Sequence, residues 1–352
     1  MKKIKKFAGI LMALCAMGSL FASGKKDEQK ELKAGALSFL NLSEKDYATV
    51  LNERKDIELE MAKEGSIKQN DKTEPASEAK TVVFYDTLDA MLMALQSGEI
   101  AVMTSIPYST AKYLCRQNPK LEMSLKFSRN PAAIVEEDSF SAMATAIVSN
   151  GFSFMMLEKN KVLHDEFDKA IEEMKADGTW NKLVNAHILD VMNGNDIDSI
   201  IPEYKEGRKT IKVAVTGSLP PMDYVAPDGT FAGFNTAILA EIGKRLDRNI
   251  TMVQVSSVGR ATALASGTVD VAFWTRGLSE ADVKNINHRS DEEMKKANEA
   301  RLAKFTDEQK KAMASYLNNF SLEQDWKKDL PENTILTMPY FSDYPVSVQL
   351  KK

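Results

Sequence analysis

The sequence predicts an α/β protein of two lobes, each a mixed sheet flanked by helices. Three observations carry this reading. A short phrase occurs twice, as Ala94-Leu95-Gln96-Ser97-Gly98-Glu99-Ile100-Ala101-Val102 and as Ala263-Leu264-Ala265-Ser266-Gly267-Thr268-Val269-Asp270-Val271. Each copy reads as a helix end, a glycine able to take the left-handed conformation that stops a helix, and an apolar run suited to a strand covered on both faces. Strands and helices alternate around both copies, and a polar stretch from Gly194 to Gly207, with Pro202 inside it, divides the chain. Two similar α/β lobes work at the cleft between them, so the repeat points to ligand binding.

The elements follow in order. Met1-Lys2-Lys3-Ile4-Lys5-Lys6 and the apolar run Phe7 to Ala22 read as a secretory signal over residues 1–24, ending in the small residues Ala22-Ser23-Gly24. Cys15 supports a second reading, a lipid anchor, against which Leu14 is large where a small residue is expected. The first lobe, 31–193, opens with a strand from Leu32 to Leu40. A helix begins at Asn41-Leu42-Ser43-Glu44, where Ser43 and Asp46 resemble a capping box, and runs to Gly65. Ser66 to Lys80 is polar and aperiodic, a loop. Then come a strand Thr81–Tyr85, a helix Leu88–Gln96, a strand Ile100–Ser105, a helix Ser109–Arg116 and a strand Leu121–Phe127. A short helix Phe140–Val148, a strand Phe152–Leu157 and two helices, Val162–Ala176 and Trp180–Val191, complete this half.

Gly194–Gly207 is the linker and hinge, and the second lobe is 208–352. Its strand Ile211–Val215 is followed by turns at Pro220-Pro221 and Asp228-Gly229. A helix Thr236–Leu246, a strand Ile250–Val255, a helix Arg260–Ala265 and a strand Val269–Trp274 form a βαβαβ unit. Residues 279–330 are dense in Glu, Lys, Asp and Ala, with Met294, Leu302, Phe305, Met313 and Leu317 at helical intervals. They read as an inserted helical hairpin, either a lid or buttress or a docking surface.

Composition excludes several functions. The 352 residues carry 50 acidic against 46 basic side chains, a formal charge of −4, with no basic face for nucleic acid. Cys115 has no partner once the signal is removed and reads as a small core residue. His164, His187 and His288 lack ligand spacing, so no metal and no cofactor are expected. No later apolar run approaches the ~20 residues that span a membrane.

Five motifs in the second half occur in a telling order: Ile211-Lys212-Val213-Ala214-Val215, Pro220-Pro221-Met222, Asp228-Gly229-Thr230-Phe231-Ala232-Gly233-Phe234-Asn235, Leu264-Ala265-Ser266-Gly267-Thr268-Val269-Asp270 and Pro339-Tyr340-Phe341. This set resembles the first lobe of the family 3 extracellular solute-binding proteins, the amino-acid receptors of bacterial ABC importers. Tyr85-Asp86-Thr87-Leu88-Asp89-Ala90, Leu95 to Ile100, and Ala170 to Trp180 resemble that family's second lobe, and Gly35-Ala36-Leu37-Ser38 the strand that opens it. The order is reversed, as in a circular permutation; a degenerate tandem of two receptor modules is the alternative. The resemblance implies a periplasmic binding protein-like fold of type II and a monomer that hands its solute to an ABC transporter permease or a membrane sensor. The hinge should lie around Gly194–Gly207 and Pro339–Pro345, since such lobes close around their ligand.

The resemblance also implies a zwitterion held by an Arg or a helix N-terminus, an Asp and an aromatic face. Arg276, just beyond the strand Val269–Trp274, stands at the strand end where α/β clefts take ligands and could grip a carboxylate, although pairing with Glu280 is equally open. Asn41 and Ser43 begin a helix whose free N–H groups suit an anion or are simply capped. Met222 stands where the family commonly has Phe, with Tyr224, Phe234 or Trp274 as substitutes. The amine-binding Asp should fall near Ser105-Ile106-Pro107, and no carboxylate is there. A small zwitterionic or anionic solute, an amino acid or related acid, is therefore the expected ligand. No enzyme activity is expected. A dehydratase-like enzyme with Asp270 or Asp223 as acid or base, and a ligand-free sensory or scaffolding protein, are the rival readings.

Overall fold

The computed structural model describes residues 32–38, 43–69, 81–124, 127–129, 139–195, 197–276, 291–319 and 331–351. The signal segment, Cys15, Asn41 and most of the Ser66–Lys80 loop lie outside them.

The first stretch alternates as the sequence predicts. Strand β1 (Lys33–Leu37) is followed by helix α1 (Glu44–Lys63), β2 (Ile67–Gln69), β3 (Thr81–Tyr85), α2 (Leu88–Ser97), β4 (Val102–Pro107), α3 (Tyr108–Gln117), β5 (Leu121–Ser124), β6 (Phe127–Arg129) and α4 (Phe140–Val148). Strands β2 and β6 form an antiparallel ribbon of their own where a loop was expected, because strands of three residues show no period.

The next stretch runs β7 (Asn150–Leu157), α5 (Lys161–Ala176), α6 (Thr179–Val184), a π-helical turn at Asn185–Asp190 and α7 (Val191–Asn193). Beyond it come β8 (Thr210–Val215), β9 (Ser218–Leu219), β10 (Asp223–Val225), β11 (Phe231–Ala232), α8 (Phe234–Arg245), β12 (Asn249–Gln254), α9 (Gly259–Ala265) and β13 (Val271–Arg276). Helices α10 (Asp291–Leu302) and α11 (Asp307–Asn319) precede β14 (Thr334–Leu336), β15 (Phe341–Asp343) and β16 (Pro345–Leu350).

Two mixed sheets result, and they share one plan. One has the order β3-β1-β4-β16-β5, the other β12-β8-β13-β7-β14, with β15 pairing the start of β7. In each, the first parallel strand lies between the second and third, and an antiparallel strand separates the third from the fourth. That antiparallel strand comes from the other half of the chain. This corrects the expected lobe boundaries of 31–193 and 208–352. Strand β7 and the helices after it belong with β8, β12 and β13, whereas β16 completes the sheet that β1 begins. Phe154, Phe167, Ile171 and Met174 are buried in one core with Val213, Phe234, Ile238 and Val271, each large apolar side chain there contributing about 2 kcal/mol. Gly194–Gly207 runs from α7 to β8 on this same side and is not a crossing. The chain crosses between sheets at Tyr344, the single residue between β15 and β16 and within the segment Pro339–Pro345 named as a hinge, and between α4 and β7.

The duplicated phrase has one geometry in both places. Gly98 and Gly267 sit at φ 76° and 71°, in the left-handed region, after α2 and α9. Ala101 N–H donates to the Lys33 carbonyl and Asp270 N–H to the Lys212 carbonyl, each at 2.9 Å, so both copies enter their sheets in the same way.

Other motif segments converge in the larger core. Trp180 donates its indole N–H to the Tyr340 carbonyl at 2.6 Å, the Tyr340 hydroxyl donates to Asn235 Oδ1 at 2.9 Å, and the Tyr340 ring stacks on Phe154 at 4.8 Å. These residues tie three distant stretches of chain together by packing and hydrogen bonding.

The insertion leaves β13 and returns at β14 as expected, yet its apolar side rests on the other sheet's helices. Phe305 meets Phe140 edge-on at 5.6 Å and packs with Met313 among Ile57, Met61 and Met143. Gln309 Nε2 and Ser141 Oγ both donate to the Glu64 carboxylate. This packing against α1 and α4 fits the buttress reading of the insertion and leaves the docking reading open.

Candidate functional site

The parallel strands of both sheets end at one interface. There, Ser257 after β12 donates its hydroxyl to the backbone carbonyl of Asp86 after β3, at 3.1 Å. Leu219 packs against the cores of both sheets. Carboxyl ends of parallel strands are where α/β proteins hold ligands, because side chains and backbone groups there are free of the sheet.

On the five-stranded side, Ser38 after β1 donates to Asp86 Oδ1 at 2.9 Å, which holds that exposed carboxylate at the strand ends. Ser105, near the end of β4, has φ 56°, a costly left-handed conformation for a residue with a side chain. Its Oγ accepts a hydrogen bond from the Tyr47 hydroxyl of α1, whose phenol is pushed up by burial.

On the six-stranded side, Arg276 closes β13 opposite Gly151 of β7; its side chain lies outside the described residues. Arg260 of α9 donates from Nη1 to the Phe273 carbonyl at 2.7 Å and from Nε to the Ser257 carbonyl at 3.0 Å, and its guanidinium lies 5.0 Å over the Trp274 ring. Trp274 is 5% exposed and has one face under Arg260, so a solute does not stack on that face.

Four expected contacts need correction. Met222 and Phe234 are fully buried in the core, where the apolar surface that suggested them is used in packing. Tyr224, in β10, is half-buried and lines a separate cavity beside α3. Ser43 caps α1, accepting from Asp46 N–H at 3.2 Å and donating to Asp46 Oδ2 at 2.6 Å. Glu44 and Asp46 already stand in that first turn, which disfavours a bound anion there. Asn41 lies outside the described residues. Of the expected set, Ser105, Trp274 and the backbone of Arg276 reach the strand ends.

Asp86, Ser38, Ser257 and Arg260 were missed. Asp86 had a signal, a carboxylate directly after a predicted strand in a motif already singled out. The serines had none, because a lone Ser after a strand is common in turns.

The two carboxylates considered as acid or base serve the backbone. Asp223 accepts from Thr216 N–H and Gly217 N–H, both at 3.0 Å, and burial pushes its carboxyl up. Asp270 Oδ2 accepts from Lys212 N–H at 2.9 Å. Among the described residues no group of three His, Cys, Asp or Glu could hold a metal.

Two sheets of one plan with their strand ends juxtaposed define a two-lobed α/β binding fold. Residues 211–286 match the family model of the bacterial extracellular solute-binding proteins, family 3, so the likeness read from these residues holds there. The matched segment is about a fifth of the chain. No curated protein matches. Among solved structures, an ancestral arginine-binding protein bound to arginine is 12% identical with TM-score 0.33, covering 92% of this chain and 84% of its own. A histidine kinase sensor domain with similarity to periplasmic binding proteins is 11% identical with TM-score 0.31, over 93% and 85%. NikA from Staphylococcus aureus in complex with Ni(L-His)2 is 12% identical with TM-score 0.36, over 82% and 64%. The chain spans 54% of the zinc-bound ligand-binding component of an ABC-type import system from Staphylococcus aureus.

Proposed function

We propose that the chain is an extracytoplasmic receptor that closes over a small zwitterionic or anionic solute, an amino acid or related acid, and delivers it to an ABC transporter. The juxtaposed strand ends, joined by Ser257 and Asp86, are the observation that carries this. In this reading Asp86 receives the ammonium group, the role for which the stretch Ser105-Ile106-Pro107 holds no carboxylate. Arg276 receives the carboxylate in a charge-assisted pair. Ser105, strained at φ 56°, supplies a hydroxyl between them. Export by residues 1–24, soluble or anchored through Cys15, and a monomeric state belong to the same proposal. So does the permuted order, which the strand exchanged between the two sheets supports over a tandem of halved modules.

The test is a thermal-shift screen of the full chain with amino acids, small organic acids and peptides. A ligand that binds the native state in excess raises stability by RT ln(1 + [L]/Kd), about 2.7 kcal/mol at one hundred times Kd. Stabilisation by an amino acid or small acid, lost in Asp86→Asn, is the expected result. No stabilisation by any of them overturns the reading, and turnover of an arogenate-like acid would favour the enzyme instead.

A further inference from the structure

A second polar cavity lies away from the strand ends. It has a volume of about 120 Å³ and is bounded by Tyr113 and Arg116 of α3, His187 of the π-helical turn, Asn195 and Ser199 of the following linker, and Tyr224 of β10. A single water needs only about 10–15 Å³ of such space, so there is room for a polyatomic ion.

Two of its polar groups are unmatched. Arg116 Nη1 and His187 Nε2 are both buried and have no hydrogen-bond partner among the described residues, and His187 as a whole is 3% exposed. Buried polar atoms are ordinarily paired, and a buried guanidinium nitrogen without an acceptor is costly. The fold makes room for that nitrogen. Gly194 passes at φ 104°, and a Cβ there would come within 2.8 Å of Arg116 Nη1. The Arg116 guanidinium also lies 5.8 Å over the Tyr113 ring, which holds it in place. Among the described residues no carboxylate lines the cavity, and Asp190 beside it accepts from Asn195 Nδ2 at 3.3 Å.

We infer that this cavity is a binding site for a small oxyanion, held between the Arg116 guanidinium and the His187 imidazole. Both groups donate, the first always and the second through Nε2–H, and an oxyanion accepts from both at once. Asn195 and Ser199 supply neutral donors at its rim. Because α3 belongs to one sheet's layer and His187 to the other's, a bound ion would fasten the two sides at a point distinct from the solute cleft.

The inference is tested on the full chain by calorimetric titration with sulfate, phosphate and acetate at fixed ionic strength, chloride being the control. Saturable binding of a tetrahedral or a carboxylate oxyanion, weakened about tenfold or more in Arg116→Gln and in His187→Phe, is expected. The three arms distinguish an inorganic ion from a carboxylate. Arg276→Gln should leave this binding unchanged, which separates its outcome from that of the solute site. Absence of saturable binding in the native chain, or equal affinity in Arg116→Gln, overturns it. A selenate soak gives a reading independent of any variant, with an anomalous peak between Arg116 and His187 expected and a cavity free of selenium overturning the inference.

Discussion

Ser257 donates its hydroxyl to the Asp86 carbonyl at 3.1 Å, so the turns that follow the second strand of each sheet are joined directly. The contact is exposed, and water can replace it. Ser257→Ala should therefore change unfolding stability by about 1 kcal/mol or less, yet move the ligand-free protein toward an open arrangement. Small-angle scattering would show a larger radius of gyration in the variant. An unchanged radius would mean that the closed form rests on other contacts.

Asp86→Asn and Arg276→Gln each remove one charge from a residue at the strand ends. Solute affinity should fall about ten- to a hundredfold in each, with little change in Tm, since charge-assisted hydrogen bonds contribute about 1.5–3 kcal/mol. Calorimetry with the solute found by screening would measure this. Retained affinity in both variants removes the proposed charge pairing.

Asp270→Ala gives a contrasting expectation. Its carboxylate serves Lys212 N–H at the start of β8, so the variant should lose about 1–2 kcal/mol of stability in urea unfolding and bind solute with unaltered affinity. A changed affinity with unchanged stability would return Asp270 to the cleft.

Phe305→Ala should detach the insertion from α1 and α4. Truncating a buried Phe costs about 3–5 kcal/mol where it is part of the global fold, and less where a segment can let go alone. Limited proteolysis should cut within 291–319 faster in the variant while both sheets stay protected. Equal cleavage rates would show that the buttress is held elsewhere.

Burial pushes the His187 imidazole below its ordinary value. The unfolded chain then takes up this proton first as pH falls, so the group adds nothing above about pH 6.5 and destabilises the native state progressively below it. In oxyanion-free buffer, His187→Phe should flatten that part of the Tm profile between about pH 6.5 and 5. A variant profile parallel to that of the native protein would contradict this.

The order of elements was legible because glycine stops and apolar periods are local signals, and Gly98 and Gly267 do what the duplicated phrase announces. Sheet membership was not. The pattern of β7 or β16 says that a strand exists and nothing about which partner edge it enters, so boundaries drawn along the sequence placed both in the wrong layer. Asp270 was weighed as an acid or base of the cleft. The carboxylate proves to anchor a strand edge, a duty invisible until Lys212 is seen beside it. Met222 and Phe234 were legible as important apolar residues, but sequence position cannot tell a wall of the cleft from the core behind it.

Strand β4 pairs on one side with β1 and on the other with β16, which lies at the far end of the described chain. A ribosome making this chain leaves β4 with one bare, apolar edge until β16 has been made. Closure of that sheet is thus a late, long-range event, and such events are slow and leave intermediates open to mispairing. The price of the exchanged strands is a nascent chain in need of shelter; what they secure is that neither lobe is finished without the other.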